Sequence, residues 1–504
     1  MAESGPAERT ILRGARANGL GFVVRLGARI LFLLVAARLF GIALFGAYTL
    51  GVAAVEFAIT LGALGSKRIL FKRLEEESGA RPAAHIVLDS AVMVAAASLA
   101  IATILILAVL AAPDGLISAN VALAFVFLAP MIAGQALLDL FLAATRWTHK
   151  IRYEAVARSI LEPYAALAAA FGAYALGYGE EGLLISYWAG TLAALAYALF
   201  GARRCLGPFG LRAYRFHAER IVPLLRDGAG ATANDMMNGL FYRVDLYLVG
   251  ILLGEGPAGI YGMARQIRTP LRQVRQSFDG LLNPIIARTL AQRGAAETAA
   301  ATAAAARLIL ALQLPILLAL ALAGMPLLAW FGPEFTAGYW ALLLLAGAET
   351  IQGAFGVGDL VILYRRPLAQ LSITATNIVV NLAAGLALIG PLGVTGAGLS
   401  VLVGVAAGAF IRRWSLRAHF GLRLPIFYHS GPLGAALAAA AAAFALSSLL
   451  GGAPSPLAYS ARLIAGVALY ALLLRLWLAA TGESLSLAAF EARADLGSGS
   501  PSLG

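Results

Sequence analysis

The chain has 504 residues, of which 61% are hydrophobic and only 13% are charged, with a formal net charge of +12. Soluble globular proteins carry about 25% charged residues, so this composition and a mean hydropathy of +0.82 exclude an ordinary soluble protein. They predict an all-α, polytopic membrane protein. Alternating strands of the outer-membrane barrel type are absent. The only cysteine is Cys205, which excludes a disulfide framework, and we expect no cofactor.

Apolar segments long enough to cross a membrane occur about fourteen times, although twelve or thirteen spans are also compatible with the sequence. We number these segments spans 1 to 14; they lie near residues 20–40, 45–65, 84–112, 119–143, 155–177, 182–202, 228–253, 258–283, 301–330, 338–363, 368–390, 393–411, 430–450 and 458–480. The connecting segments are short, so no separate soluble domain is predicted.

Basic residues are concentrated in alternate connecting segments. The basic segments lie near 9–16, 67–81, 146–152, 203–220, 288–293, 365–366 and 412–423. The opposite segments contain acids such as Glu180, Glu255 and Glu334 and almost no basic residue. This asymmetry follows the positive-inside rule. It predicts a multi-pass protein with both termini in the cytoplasm and an even number of spans.

Two motifs recur at nearly one offset. The motif L-x-G-x4-G-x-Y begins at Leu39 and again at Leu252, 213 positions later. The motif G-x2-G-x3-S begins at Gly179 and again at Gly393, 214 positions later. Internal repeats are typical of transporters. They predict an N-lobe at 1–222 (spans 1–6), a C-lobe at 223–429 (spans 7–12), an extra helix pair at 430–480 and a flexible cytoplasmic tail at 481–504.

Span 8 carries a one-sided stripe of charge. At about 100° per residue, its charged side chains share an arc of about 80° on one helix face. They are Arg265, Arg268, Arg272, Arg275 and Asp279. Such a stripe needs an anion, partner carboxylates, water or lipid head groups, so it is a candidate substrate-binding surface. Pro270 interrupts the stripe and predicts a kink, which is a candidate hinge.

Span 1 adds two more arginines one helical turn apart, Arg25 and Arg29. Both lie in the half of the span predicted to be cytoplasmic. They are candidates for a cationic cavity, and the alternative is that they snorkel to the inner surface.

Span 7 carries a polar stripe beside span 8 in the chain. Its members are Asn234, Asp235, Asn238, Tyr242 and Asp245, whereas Arg243 is predicted to point away from them. Asp235 and Asp245 are candidate partners for the arginines of span 8. The alternative is a structural salt-bridge ladder between the two spans, in which the arginines still outnumber the acids.

Isolated acids in the other spans are candidate proton sites or structural groups. They are Glu56, Asp89, Asp139, Glu162, Glu349 and Asp359. Glu162 precedes Pro163, and we group it with Asp235, Asp245 and Asp279 as possible coupling or partner acids. The five histidines show no metal-ligand spacing, so no metal site is predicted.

Three segments resemble polysaccharide flippases of the multidrug/oligosaccharidyl-lipid/polysaccharide exporter superfamily. They are ARLFGIALFGAYTL (37–50), VDLYLVGILLGEGPAGIYGMA (244–264) and PLGVTGAGLSVLVG (391–404). The resemblance implies two lobes in a V around a cationic cavity that opens alternately to each side. It implies a location in the bacterial inner membrane and a polyprenyl-diphosphate-linked oligosaccharide as substrate, for the biosynthesis of surface polysaccharides such as lipopolysaccharide. The arginines of spans 1 and 8 match this expectation because guanidinium groups bind phosphates well.

The same resemblance suggests partners. We expect the protein to be a monomer that contacts membrane lipids. A polysaccharide polymerase and glycosyltransferases are further candidate partners. No pattern of basic and aromatic residues indicates nucleic acid.

Three other functions compete with this interpretation. A peptidoglycan-precursor flippase would resemble an S-R-x-x-G-x-x-R-D pattern in its first span, but no Arg-Asp pair follows Arg38 here. A cation-coupled multidrug exporter would use membrane carboxylates, but span 1 has arginines and no acid. A membrane glycosyltransferase or polymerase needs a large external segment, whereas the outer connections here have about 5–10 residues. We therefore expect a transporter and not an enzyme.

Overall fold

The structure is a computed structural model that describes residues 6–79, 81–113, 115, 117–210, 212, 214, 221–292, 294–359, 361–362, 366–422, 430–449 and 456–481. Within these residues the chain forms helices and no strand, which confirms the predicted all-α class.

The α-helices are α1 (Pro6–Gly62), α2 (Ser66–Glu77), α3 (Ala83–Leu110), α4 (Ala119–Leu128), α5 (Met131–Trp147), α6 (Arg152–Val156), α7 (Glu162–Ala175), α8 (Gly182–Leu206), α9 (Ile221–Phe241), α10 (Val244–Leu253), α11 (Glu255–Ile267), α12 (Thr269–Gln292), α13 (Ala295–Phe331), α14 (Tyr339–Phe355), α15 (Pro367–Phe420), α16 (Ser430–Leu449) and α17 (Pro456–Thr481). A π-helical turn, Ala157–Leu161, joins α6 to α7, and 3₁₀ turns lie at Pro333–Gly338 and Gly356–Gly358.

The described helices include seven that are long and apolar enough to cross a membrane, or nine if two bent pairs each form one span. Two of the seven exceed a single span. The apolar part of α1 has 39 residues and that of α15 has 52, which correspond to about 58 Å and about 78 Å at 1.5 Å per residue. A bilayer core is about 30 Å thick. Each long helix therefore has the length of about two spans, and the total of fourteen stays a prediction.

Both long helices break at a glycine of the repeated motifs. Gly41 interrupts α1 with φ of 78°, and Gly393 interrupts α15 with φ of 58°. Gly254, the repeat partner of Gly41, has φ of 87° and separates α10 from α11. Glycine adopts positive φ without steric cost, so the first motif marks a helix break in both of its copies.

The second glycine of the first motif allows close helix packing. A Cβ atom on Gly259 would lie 2.5 Å from the carbonyl oxygen of Ile42 and 3.2 Å from the backbone nitrogen of Gly46. The serines of the second motif also correspond, because Ser186 and Ser400 are both fully buried. They donate to the carbonyl oxygen three residues earlier, at 2.6 and 2.8 Å. The two copies of each motif thus share local structure.

The contacts of the chain define two compact units. Unit 1 comprises Met1–Arg243 and Gly254–Gly259, and unit 2 comprises Val244–Leu253 and Ile260–Gly504. In unit 1, a buried apolar core joins α2, α3, α5 and α8, with Leu74, Ile86, Leu138 and Ala198 fully buried at its centre. The predicted lobe boundaries at 222 and 429 stay predictions.

Unit 2 has two apolar cores that share α13. One joins α12, α13 and α15, and the other joins α13 to α16 and α17. The hydroxyl of Tyr470 on α17 donates to the carbonyl oxygen of Ala311 on α13 at 2.9 Å. The predicted extra helix pair is therefore anchored on α13, whereas residues 482–504 of the predicted tail lie outside the described part of the chain.

Candidate functional site

The predicted arginine stripe of span 8 lies across a break between two helices. Helix α11 ends at Ile267, α12 begins at Thr269, and Arg268 lies between them. Pro270 has no backbone N–H, so it weakens helical continuity at this point. Gln313 on α13 is fully buried and donates its amide to the carbonyl oxygen of Leu271 at 2.8 Å. The helix is interrupted at Arg268, two residues before Pro270, and the kink at Pro270 and its use as a hinge stay predictions.

Glu349 on α14 holds two arginines of the stripe. Its Oε1 atom lies 3.1 Å from Nη1 of Arg268 and 3.0 Å from both Nε and Nη2 of Arg272. Arg268 is only 4% exposed and Glu349 only 6%. A charge buried this deeply requires a partner of opposite sign. Glu349 therefore compensates the charge that the helix break brings into the interior of unit 2.

Asp245 contacts Arg265, the first arginine of the stripe in the chain. Its Oδ2 atom accepts a hydrogen bond of 2.6 Å from the hydroxyl of Tyr261 and lies 3.7 Å from Nε of Arg265. Asp245 is 2% exposed. The sequence correctly named Asp245 as a candidate partner of the stripe, whereas it treated Glu349 as isolated.

We call Arg265, Arg268, Arg272, Arg275, Asp245 and Glu349 the arginine cluster. A Cβ atom on Gly356 would lie 2.5 Å from Nη1 of Arg275, so that guanidinium lies against the end of α14. Among the described side chains the cluster has four arginines and two carboxylates; the side chain of Asp279 lies outside that set. Within these described side chains the arginines outnumber the carboxylates by two. Arg272, at 24% exposure, is more accessible than Arg265 or Arg268.

The two arginines predicted in span 1 belong to unit 1. Arg25 and Arg29 are both half-buried on α1, one turn apart. Their predicted part in anion binding stays a prediction.

Every acid that the sequence treated as isolated has an arginine partner. The ion pairs are Glu56 with Arg243, Asp89 with Arg81, Asp139 and Glu162 with Arg158, Glu349 with Arg268 and Arg272, and Asp359 with Arg412. Describing these acids as isolated was wrong. For Glu56, Glu349 and Asp359 the partners are 187, 77 and 53 residues away in the chain, and this distance hid the pairing.

Arg158 organises a second charged cluster, in unit 1, and sequence reasoning missed it. It lies in the π-helical turn and donates to Glu162 at 2.8 Å, to Asp139, and to the side-chain oxygen of Gln135 at 3.0 Å. The amide nitrogen of Gln135 in turn donates to Glu162 at 3.0 Å. The i, i+4 spacing of Arg158 and Glu162 is a signal that could have revealed the pair. A role of Glu162 in ion coupling stays a prediction.

The polar stripe of span 7 does not form one continuous helix face. Helix α9 ends at Phe241, α10 begins at Val244, and the two helices bend by 48°. Because of this break, Arg243 lines the same pocket as Asp235 and Tyr242, and the prediction that it points away from them was wrong.

These features define a class of protein: a multi-pass α-helical membrane protein with ion-paired charges along its spans. The family model described as polysaccharide biosynthesis protein matches residues 11–291, more than half of the chain. The chain therefore belongs to the polysaccharide biosynthesis protein family.

Two solved structures show how widely the fold is shared. One is the lipid II flippase MurJ in an inward closed conformation, at 12% identity and a TM-score of 0.75, covering 92% of this chain and 100% of that chain. The other is an inward-facing multidrug resistance MATE family transporter of the MOP superfamily, at 15% identity and a TM-score of 0.60, covering 79% and 98%. No curated protein sequence matches significantly. The family model confirms the resemblance to polysaccharide biosynthesis proteins, and the two solved structures share the fold.

Proposed function

We propose that the protein is an alternating-access flippase that moves a polyprenyl-diphosphate-linked oligosaccharide across the bacterial inner membrane. The observation that carries this proposal is that four arginines lie close to the α11–α12 break, and membership of the polysaccharide biosynthesis protein family supports it. The protein translocates its substrate without changing it chemically.

A diphosphate linkage carries about two negative charges and several acceptor oxygens, which suit the planar fork of a guanidinium. Arg272 is the best-placed contact because it is more accessible than Arg265 and Arg268. Arg268 is almost fully buried and acts on the anion mainly through its charge and through Glu349. A semi-buried site strengthens these interactions relative to water.

The charge of the cluster also bears on the competing substrates. A cationic drug would meet the four arginines of the cluster, which opposes its binding. A peptidoglycan precursor also carries a diphosphate, so only its glycan would distinguish it from the proposed substrate.

The test is transbilayer movement in proteoliposomes. A fluorescent polyprenyl-diphosphate-linked saccharide is reconstituted with wild-type protein, with Arg272→Ala, or with Arg203→Ala as a control at an exposed arginine at the end of α8. Loss of charge-assisted hydrogen bonds worth about 1.5–3 kcal/mol should slow movement by about tenfold to a hundredfold in Arg272→Ala. Arg203→Ala should match the wild type.

Equal rates in all three proteins would refute the proposal. Recovery of a chemically altered lipid would instead indicate an enzyme. Inhibition by an unlabelled peptidoglycan precursor, stronger than by the unlabelled saccharide lipid, would favour the precursor flippase.

The proposed direction of transport rests on cytoplasmic termini. In a background of Cys205→Ser, a cysteine at the exposed Ala111 should react with an impermeant thiol reagent from outside intact cells, and one at the exposed Ser78 should not. The reverse labelling would overturn the orientation.

A further inference from the structure

The tyrosine of the repeated motif touches the arginine cluster in unit 2. Tyr261, which ends the second copy of L-x-G-x4-G-x-Y, is fully buried on α11 and donates a hydrogen bond of 2.6 Å to Oδ2 of Asp245. Met263 and Ala264, on the same helix, are also fully buried. Close packing of this kind holds a side chain in one rotamer. The hydroxyl of Tyr261 therefore has a fixed position beside the carboxylate.

Asp245 is a buried carboxylate that can accept one more hydrogen bond. It is 2% exposed and lies in the first turn of α10, where the helix dipole favours a negative charge. Its Oδ2 atom accepts from Tyr261, whereas its Oδ1 atom is buried and has no hydrogen-bond donor among the residues that the structure describes. A buried acceptor without a donor costs free energy. A donor that reaches Oδ1 would thus be bound favourably.

Arg265 is the arginine of the cluster that lies beside Asp245. Its Nε atom is 3.7 Å from Oδ2 of Asp245, which is longer than an N–H···O hydrogen bond of about 2.7–3.2 Å. The two groups attract each other as charges at this distance. A guanidinium can also donate to both oxygens of a carboxylate at once. A movement of about 1 Å would bring Arg265 within hydrogen-bond distance of Asp245.

The diphosphate of the proposed substrate and Asp245 would compete for this guanidinium. Both offer negatively charged oxygens that a guanidinium can bind in pairs. The hydroxyl of Tyr261 already satisfies Oδ2 of Asp245, so it lowers the free energy that Asp245 gains by drawing Arg265 closer. Without this hydroxyl, Asp245 would bind Arg265 more strongly and would compete better against the diphosphate.

We propose that Tyr261 is a positioning residue for substrate binding: its hydroxyl restrains Asp245 and so favours the transfer of Arg265 from Asp245 to the diphosphate. Asp245 is then an internal counter-ion that regulates the affinity of the cluster. This inference rests on the proposed function, since it concerns the same anion site. It also gives the second copy of the repeated motif two roles, the helix break at Gly254 and the hydroxyl of Tyr261.

The test is a double-mutant cycle on lipid binding. Affinity for a short-chain polyprenyl diphosphate is measured with the full-length protein in nanodiscs, for the wild type, Tyr261→Phe, Asp245→Asn and the double variant. Tyr261→Phe should weaken binding about tenfold, because Asp245 then pairs more closely with Arg265. Asp245→Asn should tighten binding, because the competing charge is removed. Adding Tyr261→Phe to Asp245→Asn should change the affinity no further.

Tyr470 provides a matched control in the same unit. It is 3% exposed, and its hydroxyl donates to the carbonyl oxygen of Ala311 at 2.9 Å. Tyr470→Phe therefore removes a buried hydroxyl of the same kind, but one whose acceptor is a backbone carbonyl instead of a carboxylate. It should leave the affinity for the diphosphate unchanged.

Arg265→Gln provides a second background for the cycle. It removes the arginine that Asp245 and the diphosphate share, and it leaves the hydrogen bond between Tyr261 and Asp245 in place. Tyr261→Phe should have no effect on affinity in this background either, so the test does not depend on the folding of Asp245→Asn.

Wild-type affinity in Tyr261→Phe would overturn the inference. A loss that persists unchanged in the Asp245→Asn or Arg265→Gln background would also overturn it, since the hydroxyl would then act without these residues. Weaker binding by Asp245→Asn alone would show that Asp245 supports the lipid site instead of competing with it. All three results leave diphosphate binding by the wild type intact. A wild type that binds no diphosphate would refute the proposed function as well.

Discussion

Replacing Glu349 by glutamine tests the internal charge balance of the arginine cluster. The change keeps the size of the side chain and one oxygen acceptor, but it removes the negative charge that lies 3.1 Å from Arg268 and 3.0 Å from Arg272. Among the described side chains, Asp245 is then the remaining carboxylate that acts on Arg268, which is only 4% exposed. We expect Glu349→Gln to be the most damaging conservative substitution in the cluster.

The magnitude follows from the distances. Two unit charges 3.1 Å apart attract by about 5 kcal/mol at an effective dielectric constant of about 20. Removing the Glu349 carboxylate from water costs several kcal/mol, and this cost offsets much of its attraction to Arg268 and Arg272. Because breaking a buried ion pair from one side costs about 3–5 kcal/mol, we expect a loss of that size in the free energy of unfolding.

The assay measures the unfolding of the purified protein in nanodiscs, with tryptophan fluorescence as the readout. Glu334→Gln is the control, because Glu334 is exposed in the 3₁₀ turn that precedes the same helix, α14. It should change stability by less than about 0.5 kcal/mol. A polyprenyl diphosphate should stabilise Glu349→Gln more than the wild type, since the lipid then supplies the missing negative charge.

Equal free energies of unfolding for Glu349→Gln and Glu334→Gln would refute this expectation. That result would mean that Arg268 and Arg272 are adequately solvated without the carboxylate. A lipid that stabilises both proteins equally would show that the diphosphate does not bind where Glu349 acts.

Three further predictions concern packing and pairing. Gly259→Ala should lower stability by about 1–3 kcal/mol because its Cβ would press on backbone, whereas Gly256→Ala, which meets open space, should be neutral in the same unfolding assay. Gln313→Leu should destabilise the protein by about 1–3 kcal/mol, since it removes a buried donor to the carbonyl of the α11–α12 break; unchanged stability would contradict this. Arg158→Gln should reduce the yield of folded protein, and adding Asp139→Asn should restore part of it; no recovery in the double variant would show that the pair is not the cause.

Much of the site can be read from the sequence where the interactions are local. Helical spacing placed four arginines on one stripe, and Pro270 marked the position near which the helix breaks. Asp245 was recognised as a candidate partner because spans 7 and 8 are adjacent in the chain. The sequence also revealed the repeated motif, and the structure shows that its first glycine, Gly41 in one copy and Gly254 in the other, has positive φ at a helix break.

Composition and hydropathy by themselves determined that the protein is a multi-pass helical membrane protein, since only long apolar helices satisfy the backbone in a bilayer. Only the tertiary structure decided which charges compensate one another. Glu349 is 77 residues from Arg272 in the chain, and Asp359 is 53 residues from Arg412. Such pairs arise from the packing of helices whose relative rotation no local pattern encodes. Helical periodicity also predicted the wrong direction for Arg243, because periodicity holds only while the helix continues. The helix breaks at Arg243, and its side chain therefore lines the pocket.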